Sequence, residues 1–395
     1  MKKLFFVLAF LIPLIVHAQT IKTDVLIVGN SNAAFAAGIQ ASESGVNAIV
    51  LTQSDGFKLS DFKSLPQSGV TKAFERRARK SLKLTDSVAL PEMTNQIVNA
   101  VIKNWSDSSK LLDVVNNTNY YEIKRSGSGW EAKLTKEKGI KAKVLIVTGN
   151  IEKVLSALKI GNLKPAEINI INYTENVYRT TIAGLNGTSN YLSLYNLLIP
   201  SQENILYTKA DNLEIGQAAG ATAAYAAFFK TKTSLSNLKR IQGELLSYKL
   251  SLMPFEDIKI ADSNWLAIQK VGITGILKAD IKNGKVFFSP EKEVTYDEIK
   301  QPIKDFYYKA QIWFDDHQNS PINLENTISM VCYVGNKAVD ATKTEIEKKW
   351  KKNYRFSSKY DLKKVLTRRE FSVIINEYLK PFDDVNVDRT GRVIR

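Results

Sequence analysis

A chain of 395 residues, 44% of them hydrophobic, is long enough for two or three domains that each bury a core. Its single cysteine, Cys332, and two histidines, His17 and His317, exclude an intramolecular disulfide, a cysteine-metal cluster and the zinc-hydrolase signatures, and a Ser-His-Asp triad would have to use His317. The net charge of +15 raises nucleic acid or an anionic surface as a partner. The lysines are spread along the chain, however, and the basic clusters at 76–80 and 348–352 lack the interleaved aromatics of a single-strand binder. No nucleic-acid partner is expected. A solvated basic face is the plain reading, and attraction to anionic glycan or phospholipid headgroups the sharper one.

Lys2 and Lys3 precede the apolar run Leu4 to Val16, and Val16-His17-Ala18 has the small-residue spacing of a cleavage site. Residues 1–18 therefore read as a signal peptide and the protein as exported, periplasmic or extracellular in a bacterium. No later segment has the ~18 uninterrupted apolar residues of a membrane helix, so no transmembrane span is expected in the mature chain.

Residues 23–52, TDVLIVGNSNAAFAAGIQASESGVNAIVLT, carry the first organised signal. Asp24 to Val28 reads as a buried strand, Gly29 ends it, Asn30, Ser31 and Asn32 supply turn and N-cap chemistry, and a helix spans Ala33 to Ser44. Gly45 stops that helix and Val46 to Leu51 is a second strand, which completes a βαβ unit in about 30 residues. A GxGxxG pattern falls here on Gly29, Ser31 and Ala34. Small residues, including Ala33, permit the tight turn and close packing, and Asn32 lies at the helix start where a pyrophosphate would be received. Thr52, with Asp55 three residues on, stands where an acid for ribose hydroxyls is expected. Taken alone, the unit is equally compatible with an α/β element that binds nothing.

Residues 53–94 show no clear periodicity and read as a loop-rich insertion. Asn95 to Val115 has apolar residues at helical spacing, Tyr120 to Ile123 and Trp130 to Leu134 form a hairpin across Ser126-Gly127-Ser128-Gly129, and Ala142 to Val147 is a strand ending in Thr148-Gly149-Asn150. Ile151 to Ile160 reads as a helix, followed by strand material over Ile168 to Thr181 and a turn at 184–187. Asn204 to Thr208 is another strand. In Leu213 to Phe229, Gly216, Ala218, Ala219, Gly220 and Ala221 form a nearly side-chain-free surface at a helix start, suited to a flat ring or to another helix.

This order, with Val147-Thr148-Gly149 in place of an ATG motif and LEIGQAAGATAAYAAFF further on, resembles the secreted bacterial FAD-dependent oxidoreductases of the glutathione-reductase-like flavoprotein fold. The resemblance implies an α/β Rossmann-like FAD/NAD(P)-binding domain over residues 19–255, with a parallel central sheet, a three-stranded β element and a short inserted region at about 151–203. It implies FAD as cofactor, held by Gly29, Ser31, Asn32, Ala33, Ala34, Thr52, Gly149, Asp211, Gly216, Gln217 and Ala218. The chain departs from that family at Thr52, Ala34 and Asn150, and Lys209 to Asn212 is shorter than the family's flavin-facing loop. No catalytic base and no metal site is identified.

From about Asp257 the pattern turns helical. Asp262 to Ile276 reads as a helix with Asp262 as N-cap, and Thr295-x-x-Glu298 and Thr367-x-x-Glu370 each read as a capping box. With Trp265 and Phe288-Ser289-Pro290 they resemble S-layer-homology repeats, which implies a mostly α-helical module over residues 256–380, contact with a cell-envelope polymer through it, and a loose tail over 381–395. Plain helix capping explains the boxes equally. His317 reads as a solvated loop residue.

Two functions stand open. One is an exported oxidoreductase passing hydride between FAD and a small-molecule or carbohydrate-type substrate. The other is a flavoprotein-derived binding or structural protein of the cell envelope that has lost FAD.

Overall fold

A computed structural model of the chain describes residues 20–58, 69–135, 139–149, 151–159 and 168–394. The expected signal peptide, residues 1–18, and Asn150 lie outside them. The opening unit is β1 (Ile21–Val28), α1 (Asn32–Glu43) and β2 (Ala48–Leu51), with β1 and β2 parallel. Val25, Leu26 and Ile27 are wholly buried, as befits a central strand of a parallel sheet covered on both faces. Ser31 caps α1 through its side chain.

The segment expected to be a loop-rich insertion contains α2 (Gly69–Ser81). It buries Val70, Phe74 and Ala78, a stripe at four-residue spacing partly masked in sequence by the basic run at 76–80. The helical pattern over residues 95–115 divides into α3 (Asn95–Ser108) and β3 (Leu112–Val115), which pairs parallel with β2 at the sheet edge. β4 (Tyr120–Ser126), β5 (Gly129–Leu134) and β6 (Ile140–Thr148) form an antiparallel meander. Ile140 to Ala142 of β6 pair with β5, whereas Leu145 to Thr148 pair parallel with β10 (Ile205–Thr208). One strand thus joins the meander to the parallel part of the sheet, whose order is β3-β2-β1-β6 with β10 beyond.

Between β6 and β10 lie α4 (Glu152–Ala157) and a small sheet of β7 (Asn169–Ile170), β8 (Thr181–Gly184) and β9 (Asn190–Ser193) in the order β7-β9-β8. α5 (Leu213–Phe228) follows β10 and lies against α1. The contact has almost no side chains in it. A Cβ on Gly216 would strike the Ala33 backbone, and one on Gly220 would strike Ala37 O and come within 3.0 Å of the Ala37 Cα. α6 (Leu238–Ser247) completes this half.

The C-terminal half holds α7 (Trp265–Thr274), the hairpin β11 (Asp280–Lys282) and β12 (Lys285–Phe287), then α8 (Tyr296–Phe306), α9 (Ala310–Asp316), α10 (Leu324–Gly335), α11 (Val339–Lys352) and α12 (Arg368–Tyr378). A single hydrophobic cluster runs from Val25 to Phe382, so the division near residue 255 is a change of architecture within a continuous core. Thr367 and Glu370 form the reciprocal capping box, with Thr367 N–H donating to Glu370 Oε2 at 2.9 Å. Thr295 caps α8, but the Glu298 carboxylate pairs with Arg368 instead of returning to its own cap. α7 starts after Asn264, while Asp262 binds Arg369 Nη1 at 2.6 Å. His317 ends α9 with its ring stacked on Trp313 at 4.3 Å, and Cys332 is buried and free.

The expected loose tail is instead docked. α13 (Pro381–Asp384) buries Phe382, β13 (Asn386–Val387) and β14 (Val393–Ile394) form a hairpin, and Gly391 O accepts from the buried Arg179 at 3.2 Å. Phe382 is an apolar anchor, and the arginine fixes the hairpin turn that follows it.

The α1-α5 contact should tolerate no added volume. Gly220→Val is expected to destabilise the protein by about 2–3 kcal/mol through overpacking. Gly243→Ala, in α6 where a Cβ meets nothing within 4 Å, should stabilise it by about 0.5–1 kcal/mol. Urea unfolding of the two variants checks both signs.

Candidate functional site

β2, β1, β6 and β10 are parallel, so their C-terminal ends share one edge of the sheet, and α1 and α5 start from that edge. In open α/β sheets this edge is where ligands are received. Gly29 leaves β1 with φ +142° and donates to Leu51 O at 3.1 Å. A Cβ at Gly29 would overlap Thr148 Oγ1, which itself donates to Val28 O at 3.2 Å. Glycine is therefore required by the approach of β6 as well as by the turn.

The first turn of α1 is occupied from within the chain. Ser31 Oγ accepts from Ala34 N–H at 3.5 Å, and Asp211 Oδ1 accepts from Ala33 N–H at 3.0 Å. A carboxylate there meets both a free helix N–H and the positive end of the helix dipole. Asp211 lies in the β10-α5 turn, so this bond ties the starts of the two helices together. The turn before α1 is also tied to the segment after β2: Asn30 Nδ2 donates to Ser54 Oγ at 2.8 Å, and Lys58 N–H to Asn30 O at 2.8 Å. Asn32, Ala33 and Ala34 are buried.

Thr52 ends β2 fully buried, its hydroxyl 2.8 Å from Ser54 O and 2.9 Å from Asn116 Oδ1. It is engaged by protein at the place expected to face a ribose. Gly149, at φ +76°, donates to Thr208 O at 3.3 Å and accepts from Tyr207 OH at 3.0 Å, and a Cβ there would meet nothing within 4 Å. Its glycine answers to backbone conformation rather than to crowding.

Gly216, Gln217 and Ala218 face protein. Gly216 abuts Ala33, Ala218 is wholly buried in the core, and the Gln217 amide accepts from Val70 N–H at 2.9 Å and donates to Gln40 Oε1 at 2.8 Å. Of the two partners open to the small-residue surface of α5, a ring or a helix, these residues have the helix. The sites expected from sequence thus gather into one cluster at the strand ends, except that Gln217 and Ala218 lie further along α5, inside its packing.

Three contributors were missed by sequence reasoning. Thr148 fills the space beside Gly29. Thr208, the last residue of β10, has a buried hydroxyl without a hydrogen-bond partner among the described residues. Glu214, in the first turn of α5, is 4% exposed, and burial pushes its carboxyl up to about 7 against the opposing hydrogen bonds of its own backbone and Asn212. Thr208 also lines a cavity of about 420 Å³ together with Leu192, Leu197, Lys209, Ala210 and Ile215. A wider cleft of about 760 Å³ opens beside Asp55 and Asn116. Among the described residues no group of acidic, histidine or cysteine side chains could hold a metal.

No protein-family model and no curated protein matches the chain. Solved structures with a local likeness include a thioredoxin reductase from T. acidophilum, 15% identical over 44% of this chain and 40% of that one, with a TM-score of 0.23. The flavin-dependent monooxygenase PieE in complex with FAD and substrate is 12% identical over 38% and 33% of the respective chains, TM-score 0.27. A bacillithiol disulfide reductase from Staphylococcus aureus is 10% identical over 33% and 39%, TM-score 0.22. The matched part is well under half of each of these proteins, and a likeness this slight assigns no activity to the chain.

The Glu214 environment has a measurable consequence. An acid whose folded pKa of about 7 exceeds its unfolded value is neutral in both states at low pH. The unfolded state ionises first as pH rises, so stability is lost between about pH 4.5 and 7 and is level above that. Glu214→Gln should remove this loss and be more stable than the wild type at pH 8, by an amount of order 1–3 kcal/mol, with no difference near pH 4. Denaturant unfolding across that pH range checks the sign.

Proposed function

We propose that the protein binds FAD at the shared strand edge and acts as an exported FAD-dependent oxidoreductase on a small-molecule or carbohydrate-type substrate. The observation that carries the reading is the convergence of the β1-Gly29-α1 turn, the Gly149 end of β6 and the β10-α5 turn on one edge, beside a cavity lined by Thr208, Lys209 and Ala210. FAD would reach Ala33 N–H there only by displacing the Asp211 carboxylate from the first turn of α1. Gly29 to Ala34 would lie along its pyrophosphate, and Asp211 would turn its acceptor oxygens to the ribityl hydroxyls. When bound, FAD would supply the hydride chemistry, while the chain supplies orientation and a water-poor wall of Leu192, Leu197 and Ile215.

A second reading, a flavoprotein-derived binding or structural protein of the cell envelope, is favoured by the Ala33-Asp211, Asn30-Ser54 and Lys58-Asn30 bonds. Those bonds already occupy groups that a cofactor would engage. In that reading the helical module would contact an envelope polymer. The charges of its Thr-x-x-Glu segments are largely paired within the chain, Glu370 with Lys364 at 2.5 Å and Arg369 with Glu291 at 2.7 Å, so polymer contact would fall on other surfaces.

Absorbance of the purified mature chain at roughly 450 nm, with a titration of added FAD, separates the two. The first reading expects stoichiometric uptake. A colourless protein that takes up no added FAD overturns it and leaves the second.

A further inference from the structure

α5 is buried along almost its whole length and then ends abruptly in solvent. Residues up to Ala227 lie in the core with Tyr225 partly buried, whereas Phe228 is 63% and Phe229 52% exposed. The two rings pack on each other at 5.0 Å, and Phe229 rests on Tyr225 at 4.6 Å, so they form one aromatic knob. The loop that follows adds Lys230 and Lys232, both exposed and paired with no carboxylate among the described residues, and Leu235, 66% exposed. Thr233 fastens this loop to Asn204, its N–H donating to Asn204 Oδ1 at 3.2 Å, and Arg389 of the C-terminal hairpin adds a third cation by donating to Ser234 O at 3.1 Å. A carboxylate bonded to the loop, Glu203, is half-buried and accepts from Ser234 Oγ at 2.6 Å.

Since α5 runs back from the strand ends, this knob lies at the opposite edge of the sheet from the candidate site, on the edge where β1 begins with the exposed Ile21 and Lys22. Two phenylalanines packed edge to face in water carry a hydration cost that a polar helix end would avoid, and apolar exposure rimmed by charge marks an interaction surface. The apolar part is two rings and a leucine, small beside the ~800 Å² per partner of a stable protein interface. Aromatic rings ringed by unpaired lysines suit a lipid interface instead, where rings enter the acyl boundary and ammonium groups meet anionic headgroups.

We propose that Phe228, Phe229, Lys230 and Lys232 dock the protein on an anionic phospholipid surface, with the strand-end site turned away from the bilayer. Docking through these four side chains is peripheral and reversible.

Co-sedimentation of the mature chain with vesicles of equal parts phosphatidylcholine and phosphatidylglycerol, and with pure phosphatidylcholine vesicles, tests this. Binding is expected on the anionic vesicles only, and it should weaken as salt is raised. Phe228→Ser with Phe229→Ser, and separately Lys230→Glu with Lys232→Glu, should each lower the partition coefficient about tenfold or more. The charge-matched pair Lys348→Glu with Lys352→Glu, exposed on α11, should change it less than about twofold. All these positions are exposed, and matching circular dichroism shows that the variants fold. Absence of binding to anionic vesicles, equal binding by the phenylalanine variant, or an equal loss in the α11 control overturns the proposal. So does a wild-type dimer that the phenylalanine variant converts to monomer, which would make the knob a contact between copies.

Discussion

The architecture of the N-terminal half depends on one contact between backbones. α1 and α5 meet where Gly216 faces Ala33 and Gly220 faces Ala37, with spacing that leaves α5 no room for a Cβ at either glycine. Because α1 is anchored by β1 and α5 by β10, this contact fixes the two helix starts beside each other at the strand ends. Dispersion over many close atom pairs, rather than any single strong bond, holds it. The buried Gln217-Gln40 and Gln217-Val70 bonds beside it, at 2.8 and 2.9 Å, add directional preference to an otherwise smooth surface, since a slip along α1 would leave a buried amide unpaired.

The electrostatics of the candidate site follow from that juxtaposition. With the helix starts adjacent, the β10-α5 turn can place Asp211 on the first turn of α1, so the chain provides its own anion at a position that ordinarily attracts an external one. Nearby, Asn212 caps α5 at 2.9 Å from Glu214 N, and burial holds the Glu214 carboxyl above its usual range. Asp211 is exposed and accepts from one helix N–H, while the Glu214 carboxyl, three residues on, is buried and driven towards its neutral form.

Much of this was legible in the sequence because it is local. The run Val25 to Val28 before Gly29 and the hairpin across residues 126–129 are patterns a few residues long with one physical solution each, and the small residues of α5 call for a close partner without saying which. The misreadings have equally physical causes. The Val70, Phe74, Ala78 stripe of α2 was obscured by its own basic face. β3 was read into the preceding helix because Leu111 fits a helical stripe, and only pairing with β2 reveals a strand. The tail looked loose because its anchors, Arg179 to Gly391 O and the buried Phe382, are made with residues far earlier in the chain. The site was legible as a set of glycines and small residues, but their engagement was not. That Asp211 meets Ala33, that Thr52 meets Asn116, and that Gly216 meets a helix are long-range contacts that no local spacing encodes.

The helical half is continuous with the same core, and its charged capping segments lock α8 and α12 together through Glu298 and Arg368. The α1-α5 contact is nonetheless the element on which the placement of the strand-end site rests. Hydrogen exchange read by mass spectrometry tests this most directly. α1 and α5 should exchange as one slow cooperative unit, and Gly220→Val should accelerate both helices together while leaving α10 and α12 unchanged. Acceleration confined to α5, with α1 as protected as in the wild type, would contradict the account.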